Sequence, residues 1–276
     1  MTAAPSGDAR VARAQTILDR FCAGDPGRSV ALAFDGGRDA PDKRVTLHIN
    51  GETPRPLASV IKVALVMALY DIAAAGRIDL AEQVPVAALG ATRYCSVMHA
   101  FDGDRTLSLR ELAAIALITS DNPVAVLLEG RVGRNAVSDV LQRAGVSADR
   151  AHMRAGFRED ELGPRNRANA MSALDVLALF RSLRAEPRYA PIIVALENNL
   201  RNARIPALLP DDAVIAHKTS SLEGVVNDAG IVRLDTHEFT VALLCDDQAD
   251  PAATSNDIAA CSEALFGLLL VGSSSR

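Results

Sequence analysis

From Val60 to Leu69 the chain is apolar at every position but one, Lys62. A segment that would be apolar on every face of a helix has to lie inside a lobe, with other elements packed around it. A lysine in such a helix is rarely left without a partner. Lys62 follows Ser59 by three positions, so helical spacing predicts that its ammonium group shares a face with the serine hydroxyl. Pro54 and Pro56 come just before, which starts the helix near Ser59 and turns its free N–H groups toward that hydroxyl. Serine is a weak nucleophile until a neighbour takes its proton, and a buried lysine whose charged form is disfavoured can be that neighbour. The competing reading is an N-cap serine beside a lysine that snorkels out or pairs with a structural carboxylate.

The elements around this run follow from periodicity. Val11, Ala14, Ile17, Leu18 and Phe21 predict an amphipathic helix over residues 8–23, ended by Gly24 and Pro26. Strands are predicted at Ser29–Phe34 and Arg44–Asn50, with turn chemistry at Asp35-Gly36-Gly37 and Asn50-Gly51. From Ser59 to about Leu200 the pattern is helical. Gly76 closes the buried helix, and Ser108 with Glu111 forms a capping box before a helix that runs to Ile118. Further helices fit Val124–Glu129, Arg134–Ala144, Ser172–Leu183 and Pro191–Asn198. Strands return at Ala213–Thr219, Ala229–Leu234 and Phe239–Cys245, and a helix from about Ser255 to Leu270 ends the pattern. The expected fold class is α+β: one antiparallel sheet built from both chain ends and flanked by terminal helices, with an all-helical lobe inserted. A single domain is expected over 1–276, with 1–56 and 205–276 in the α/β lobe and 57–204 in the helical lobe.

With 276 residues, 49% of them hydrophobic, the chain can bury a large core. A net charge of −5, 4% aromatic residues and the lack of a basic run argue against nucleic acid or an anionic membrane as partner. A small molecule is the expected partner. Cys22, Cys95, Cys245 and Cys261 are scattered without metal-ligand spacing and read as free, mostly buried thiols; no metal and no cofactor are implied. Residues Met1–Gly7 lack the pattern of a secretory signal, and no apolar run reaches transmembrane length. The expected location is cytoplasmic, or outside the cell if the chain is a mature fragment.

Two more segments carry chemistry. Thr119-Ser120-Asp121-Asn122-Pro123 lies between predicted helices, where a hydroxyl can relay a proton and an amide can hold a ligand, although the same residue types also cap helices. His217-Lys218-Thr219-Ser220 ends a predicted strand. Alternation puts Lys218 and Ser220 on one face and His217 and Thr219 on the other. Lys218 is either a cation offered to a ligand or an edge lysine that blocks aggregation, and His217 reads as packed or hydrogen-bonded.

Ser59-x-x-Lys62, Ser120-Asp121-Asn122 and Lys218-Thr219-Ser220 occur in that order, the set that marks class A β-lactamases and penicillin-binding proteins when glycine is third in the last triplet. The flanks Ala58 to Lys62 and Ser120 to Ala125, the approach from Arg204-Ile205 to Leu209-Pro210, and the segment Gly224 to Gly230 are also similar. The chain resembles the class A β-lactamase-like serine hydrolases over nearly its whole length. The resemblance implies that Ser59 forms an acyl-enzyme, that Lys62 takes part in proton transfer and that Ser120 relays a proton to the leaving nitrogen. It further implies that Asn122 holds the substrate amide, that Lys218 and Thr219 bind its carboxylate, and that the N–H groups of Ser59 and Ser221 form the oxyanion hole. Tyr94 is either a gate beside the cleft or a core residue.

Three positions depart from that pattern. In Glu159-Asp160-Glu161-Leu162-Gly163, Glu159 fits the general base for deacylation and Glu161 is the fallback, but Gly163 replaces an amide that would position water. Ser220 stands where glycine lets a strand edge approach a ligand, so a narrowed site is expected. Val226 occupies the place of an anchoring arginine, for which Arg204 and Arg233 are the substitutes. The expected activity is opening of a β-lactam or related amide, with a role in antibiotic resistance. The alternatives are an amidase, esterase or acyltransferase on a cytoplasmic biosynthetic metabolite, and a catalytically weak ligand-binding homologue.

Overall fold

A computed structural model of the chain describes residues 7–35, 44–90, 92, 95–158, 160–161 and 167–270. The expected turn at Gly36-Gly37 lies outside them. Helix α1 (Gly7–Cys22) leads into strands β1 (Arg28–Asp35) and β2 (Arg44–Ile49), and the chain returns to the same sheet with β7 (Val214–Leu222), β8 (Val225–Leu234) and β9 (His237–Cys245) before α8 (Pro251–Leu269). The order is β2-β1-β9-β8-β7 with antiparallel neighbours throughout, so one sheet is built from both chain ends as the periodicity predicts. Between them lie α2 (Lys62–Ala74), α3 (Leu109–Ile118), α4 (Asn122–Val132), α5 (Arg134–Arg143), α6 (Ala173–Ala185) and α7 (Ala190–Glu197).

Alternation along the strands sorts the sheet into two cores. Val30, Leu32 and Phe34 of β1 and Val241 and Leu243 of β9 pack under α1 and α8. Ala31, Ala33, Ala242 and Leu244 face the helical lobe, where small side chains let the helices come close. At the centre of that lobe is α2, buried from Lys62 through Tyr70 and again at Ile72. Leu65 and Leu69 are wholly buried, and truncating either to alanine costs about 2–5 kcal/mol. Gly76 stops the helix with φ of 71°, its N–H bonding Ala73 O while Arg77 N bonds Ile72 O. The capping box of Ser108 and Glu111 is present with both of its hydrogen bonds.

Three details differ from expectation. Strand β8 begins at Val225 rather than Ala229, because the buried polar residues Asn227 and Asp228 find partners on distant segments. Two short ladders pair remote pieces of chain, β3 (Arg55–Pro56) with β6 (Ala170–Met171) and β4 (Gln83–Pro85) with β5 (Thr106–Ser108). Ser59 is not inside the buried helix: it lies in a 3-10 turn over Ala58–Ile61 that feeds directly into α2. Among the described residues no helix is long and apolar enough to cross a membrane, and Cys22, Cys245 and Cys261 are free buried thiols, with Cys95 free and exposed.

Candidate active site

The turn that carries Ser59 is held from both sides. Leu57 N–H donates to Asn169 O at 2.7 Å, and Leu57 O accepts from Ser220 Oγ at 2.7 Å. Between them and the serine is Ala58 with φ of 46°, a left-handed conformation that alanine seldom adopts and that persists only where the surroundings impose it. Ser59 itself is half-buried, and its Oγ has no hydrogen-bond partner among the described residues.

Lys62 is fully buried at the first position of α2. Its Nζ donates to Ser120 O at 2.6 Å and Asn122 Oδ1 at 2.7 Å, with Ser120 Oγ farther off at 3.4 Å, and it lies 4.9 Å from the centroid of the Phe157 ring. These contacts join the first two motifs in space, although the direct bond is from Lys62 to the Ser120 turn rather than to Ser59. Burial drives the Lys62 pKa well below that of an ordinary lysine, with Lys218 and Arg201 pushing the same way and Asp121 opposing them. A lysine so placed gives up its proton more readily than an ordinary one, which suits it to act as a base.

Ser120 also has a positive φ, 63°, which aims its carbonyl and hydroxyl at Lys62. The next residue, Asp121, caps α4 by accepting from Val124 N, and its other oxygen accepts from Ser96 Oγ at 2.6 Å and Val97 N. The middle motif is therefore divided: Asp121 fixes the segment around Ser96, while Ser120 and Asn122 face the lysine.

On β7, Lys218 and Ser220 share a face and His217 bonds on the other, as alternation requires. His217 Nδ1 meets both oxygens of Asp228 at 3.0 Å, which makes it a hydrogen-bonded histidine of the fold. Lys218 is fully buried, its Nζ donating to Thr219 O at 2.9 Å, and burial, aided by Arg201 and Arg204 and opposed by Asp228, brings its pKa down to about 7. Thr219 Oγ1 is buried and has no hydrogen-bond partner among the described residues. Ser220 does not narrow the cleft. Its hydroxyl turns inward to Leu57 O and accepts from Asn227 Nδ2 at 3.0 Å, and Asn227 Nδ2 also reaches Pro56 O at 2.8 Å. The side chain expected to obstruct a ligand instead ties the strand to the nucleophile's turn.

The acidic loop is built differently. Glu161 accepts from Arg134 Nη2 with both oxygens, at 2.8 and 2.5 Å, and from Gly156 N. The arginine holds its carboxyl below the usual range, so as a fallback base it is both occupied and weak. Glu159, Gly163 and Tyr94 lie outside the described residues.

The model of the beta-lactamase enzyme family matches residues 32–268. This chain belongs to the beta-lactamase enzyme family. A comparison with curated proteins found no match. Among solved structures, a beta-lactamase from Sphaerobacter thermophilus is similar at 23% identity and a TM-score of 0.79, over 93% of this chain and 96% of that one. A beta-lactamase from Chitinophaga pinensis follows at 22% and 0.75, over 92% and 98%. A mutant of PBP-A, solved as an acyl-enzyme complex with penicillin G, is similar at 19% and 0.73, over 96% and 98%. At these identities the structures speak for the fold.

Within this β-lactamase fold the structure adds residues that motif spacing did not single out. Phe157 faces the Lys62 ammonium, and with Gly90, Thr92, Asn122, Pro123 and Asp160 it lines a cavity of about 470 Å³ beside Asn122. A groove of about 490 Å³ between α1 and α8 holds none of the candidate residues. Of the two substitute arginines, Arg204 reaches the site, donating to Ser220 O, Asn227 O and Ser221 Oγ, whereas Arg233 pairs with Glu197. Asn227 and Asn169 were legible only as polar residues in otherwise buried stretches, since their partners are far away in sequence.

Proposed function

We propose that this β-lactamase-family chain is a serine hydrolase that opens a β-lactam or related amide through an acyl-Ser59 intermediate. The observation that carries the reading is Lys62: a fully buried lysine, one helical turn from Ser59, bonded only to neutral oxygens of the Ser120–Asn122 turn among the described residues. Neutral Lys62 takes the proton of Ser59 Oγ as that oxygen bonds to the carbonyl carbon, and the N–H groups of Ser59 and Ser221 receive the negative charge on the carbonyl oxygen. As the C–N bond breaks, Ser120 hands its proton to the leaving nitrogen and takes in its place the proton that Lys62 gained from Ser59, so that Ser120 and Lys62 both return to their neutral forms. Asn122 holds the substrate amide, its acyl side chain occupying the cavity by Phe157, while Lys218, Thr219 and Arg204 hold the substrate carboxylate. Water activated by Glu159 then cleaves the ester and restores the Ser59 hydroxyl.

Intact-protein mass spectrometry after mixing with penicillin G tests this. An adduct of the mass of the intact drug is expected on the native protein and none on Ser59→Ala. Rapid nitrocefin turnover would make the enzyme a working β-lactamase, and a long-lived adduct would make it a penicillin-binding homologue. Absence of both an adduct and nitrocefin turnover on folded protein would overturn the reading and return the search to other amides and esters.

A further inference from the structure

Four basic side chains converge on this cleft, and among the described residues none is hydrogen-bonded to a carboxylate. Lys62 donates to Ser120 O and Asn122 Oδ1, and Lys218 to Thr219 O. Arg204, itself buried, donates to Ser220 O, Asn227 O and Ser221 Oγ, and Arg201 to Thr119 O at 3.3 Å. The nearby carboxylates are committed elsewhere, Asp121 to the cap of α4 and the Ser96 segment, Asp228 to His217 and Ile205 N. Asp121 and Asp228 act on Lys62, Lys218 and Arg204 through space without bonding to them, so the bonding positions of these basic groups stay open to an anionic ligand.

One carboxylate answers Lys218 and Arg204. Arg201 is the cation left over. Its backbone N–H donates to Asn199 Oδ1 at 2.8 Å, and Asn199 Nδ2 donates to His217 O at 3.0 Å, which pins the arginine beside Lys218. Its side chain reaches across to Thr119, the neighbour of Ser120, and remains exposed, with no ion pair to a described residue. Its charge lowers the pKa of Lys62, Lys218 and Arg204 alike, as a group in reach of all three would.

Resting on the acyl-Ser59 reading, we infer that Arg201 forms a second anion subsite on the leaving-amine side of the cleft, selecting substrates whose amine half carries two acidic groups. The side follows from Thr119 and Ser120, since Ser120 is the residue that meets the leaving nitrogen. The second group is a carboxylate or an acidic heterocycle.

Cefotaxime and ceftriaxone test this, because they share an acyl side chain and differ at the 3-substituent, neutral in the first and acidic in the second. Their equilibrium affinities are measured by calorimetry on Ser59→Ala protein, which cannot be acylated. Ceftriaxone is expected to bind about fivefold more tightly, the upper range for an exposed ion pair, and the preference should shrink with added salt. At about pH 6, where Lys218 is charged with or without Arg201, the preference should vanish in Ser59→Ala with Arg201→Gln while cefotaxime affinity holds. Equal affinities, binding of neither compound, a preference that survives Arg201→Gln, or an equal loss for both compounds would each overturn the inference. Failure of the acyl-enzyme reading appears separately, as a native protein that is not labelled by penicillin G and does not turn over nitrocefin.

Discussion

The residues proposed to form the acyl-enzyme and those proposed to break it are built in contrasting ways. Ser59 sits in the 3-10 turn that feeds α2, Lys62 at the head of α2, Ser120 on the α3–α4 turn and Lys218 on β7; Lys62 is bonded to Ser120 and Asn122, and Ser220 ties β7 to Leu57 and Asn227. The loop around Glu161 rests instead on ion pairs to a partly exposed arginine, Arg134. A buried network fixes geometry because each unmade bond is expensive, whereas an exposed ion pair adds little and is screened by salt. The first step of the proposed reaction is thus preorganised by the core, whereas what is described next to Glu159 is held by the ion pair of Glu161 and Arg134.

The strongest way to break that contrast is Lys62→Met, which keeps volume and removes the base. Acylation by penicillin G, followed by mass or by stopped-flow fluorescence, is expected to slow about 10³-fold, within the range of general base catalysis. A rate close to that of the native protein would move the base elsewhere and dissolve the distinction. Glu159→Gln probes the other half: acylation should be retained while the adduct's lifetime grows about 10²-fold. Should the two steps slow equally, the loop would belong to the same unit as the core.

The sequence disclosed these two halves unequally. Alternation, capping boxes and the spacing of Ser59, Lys62, Ser120 and Lys218 made the sheet, the buried helix and the motif set legible, because each rests on local chemistry or fixed periodicity. The positive φ at Ala58 and Ser120 was not legible, since neither residue prefers that conformation and only distant clamps such as Ser220 and Asn169 impose it. The inward turn of Ser220 was hidden for the same reason: Leu57 and Asn227 lie beside it only after folding. Charge clusters in the acidic loop, for their part, do not reveal which carboxylate an arginine will claim.

Ser220→Ala sharpens the comparison at an intermediate size. It leaves Leu57 O without its donor and Asn227 Nδ2 without one of its acceptors, at a cost of about 1–3 kcal/mol. A fall in Tm of about 2–4 °C per kcal/mol is expected for a chain of this size, with acylation slowed more than deacylation. Glu161→Gln should do the reverse, lowering Tm less and disturbing deacylation first. If both variants slow the same step, the clamp on the nucleophile's turn and the clamp on the loop are one structure.

The smallest effect separates the halves by pH. Lys218, with a pKa of about 7, is charged below that value and holds a carboxylate, so cefotaxime affinity for Ser59→Ala protein should fall by about three- to tenfold from pH 6.5 to 8.5. Stability runs the other way. Between about 7 and the 10.5 of an ordinary lysine the unfolded chain binds the extra proton, so the Lys218 contribution to stability rises with pH. Buried Cys22 and Cys245, raised to about 11 and 12, reverse that slope once unfolded thiols begin to ionise near 9, which confines the rise to pH 7 to about 8.5. Glu161, lowered by Arg134, contributes stability above the ordinary glutamate range and loses it only as acid protonates the carboxylate. Lys218→Met should flatten the affinity slope, take its own share out of the neutral stability slope while the share of buried Lys62 remains, and leave the acid one; Glu161→Gln should do the opposite, and a variant that reduced both would mean that the cleft and the Glu161 segment titrate as one network.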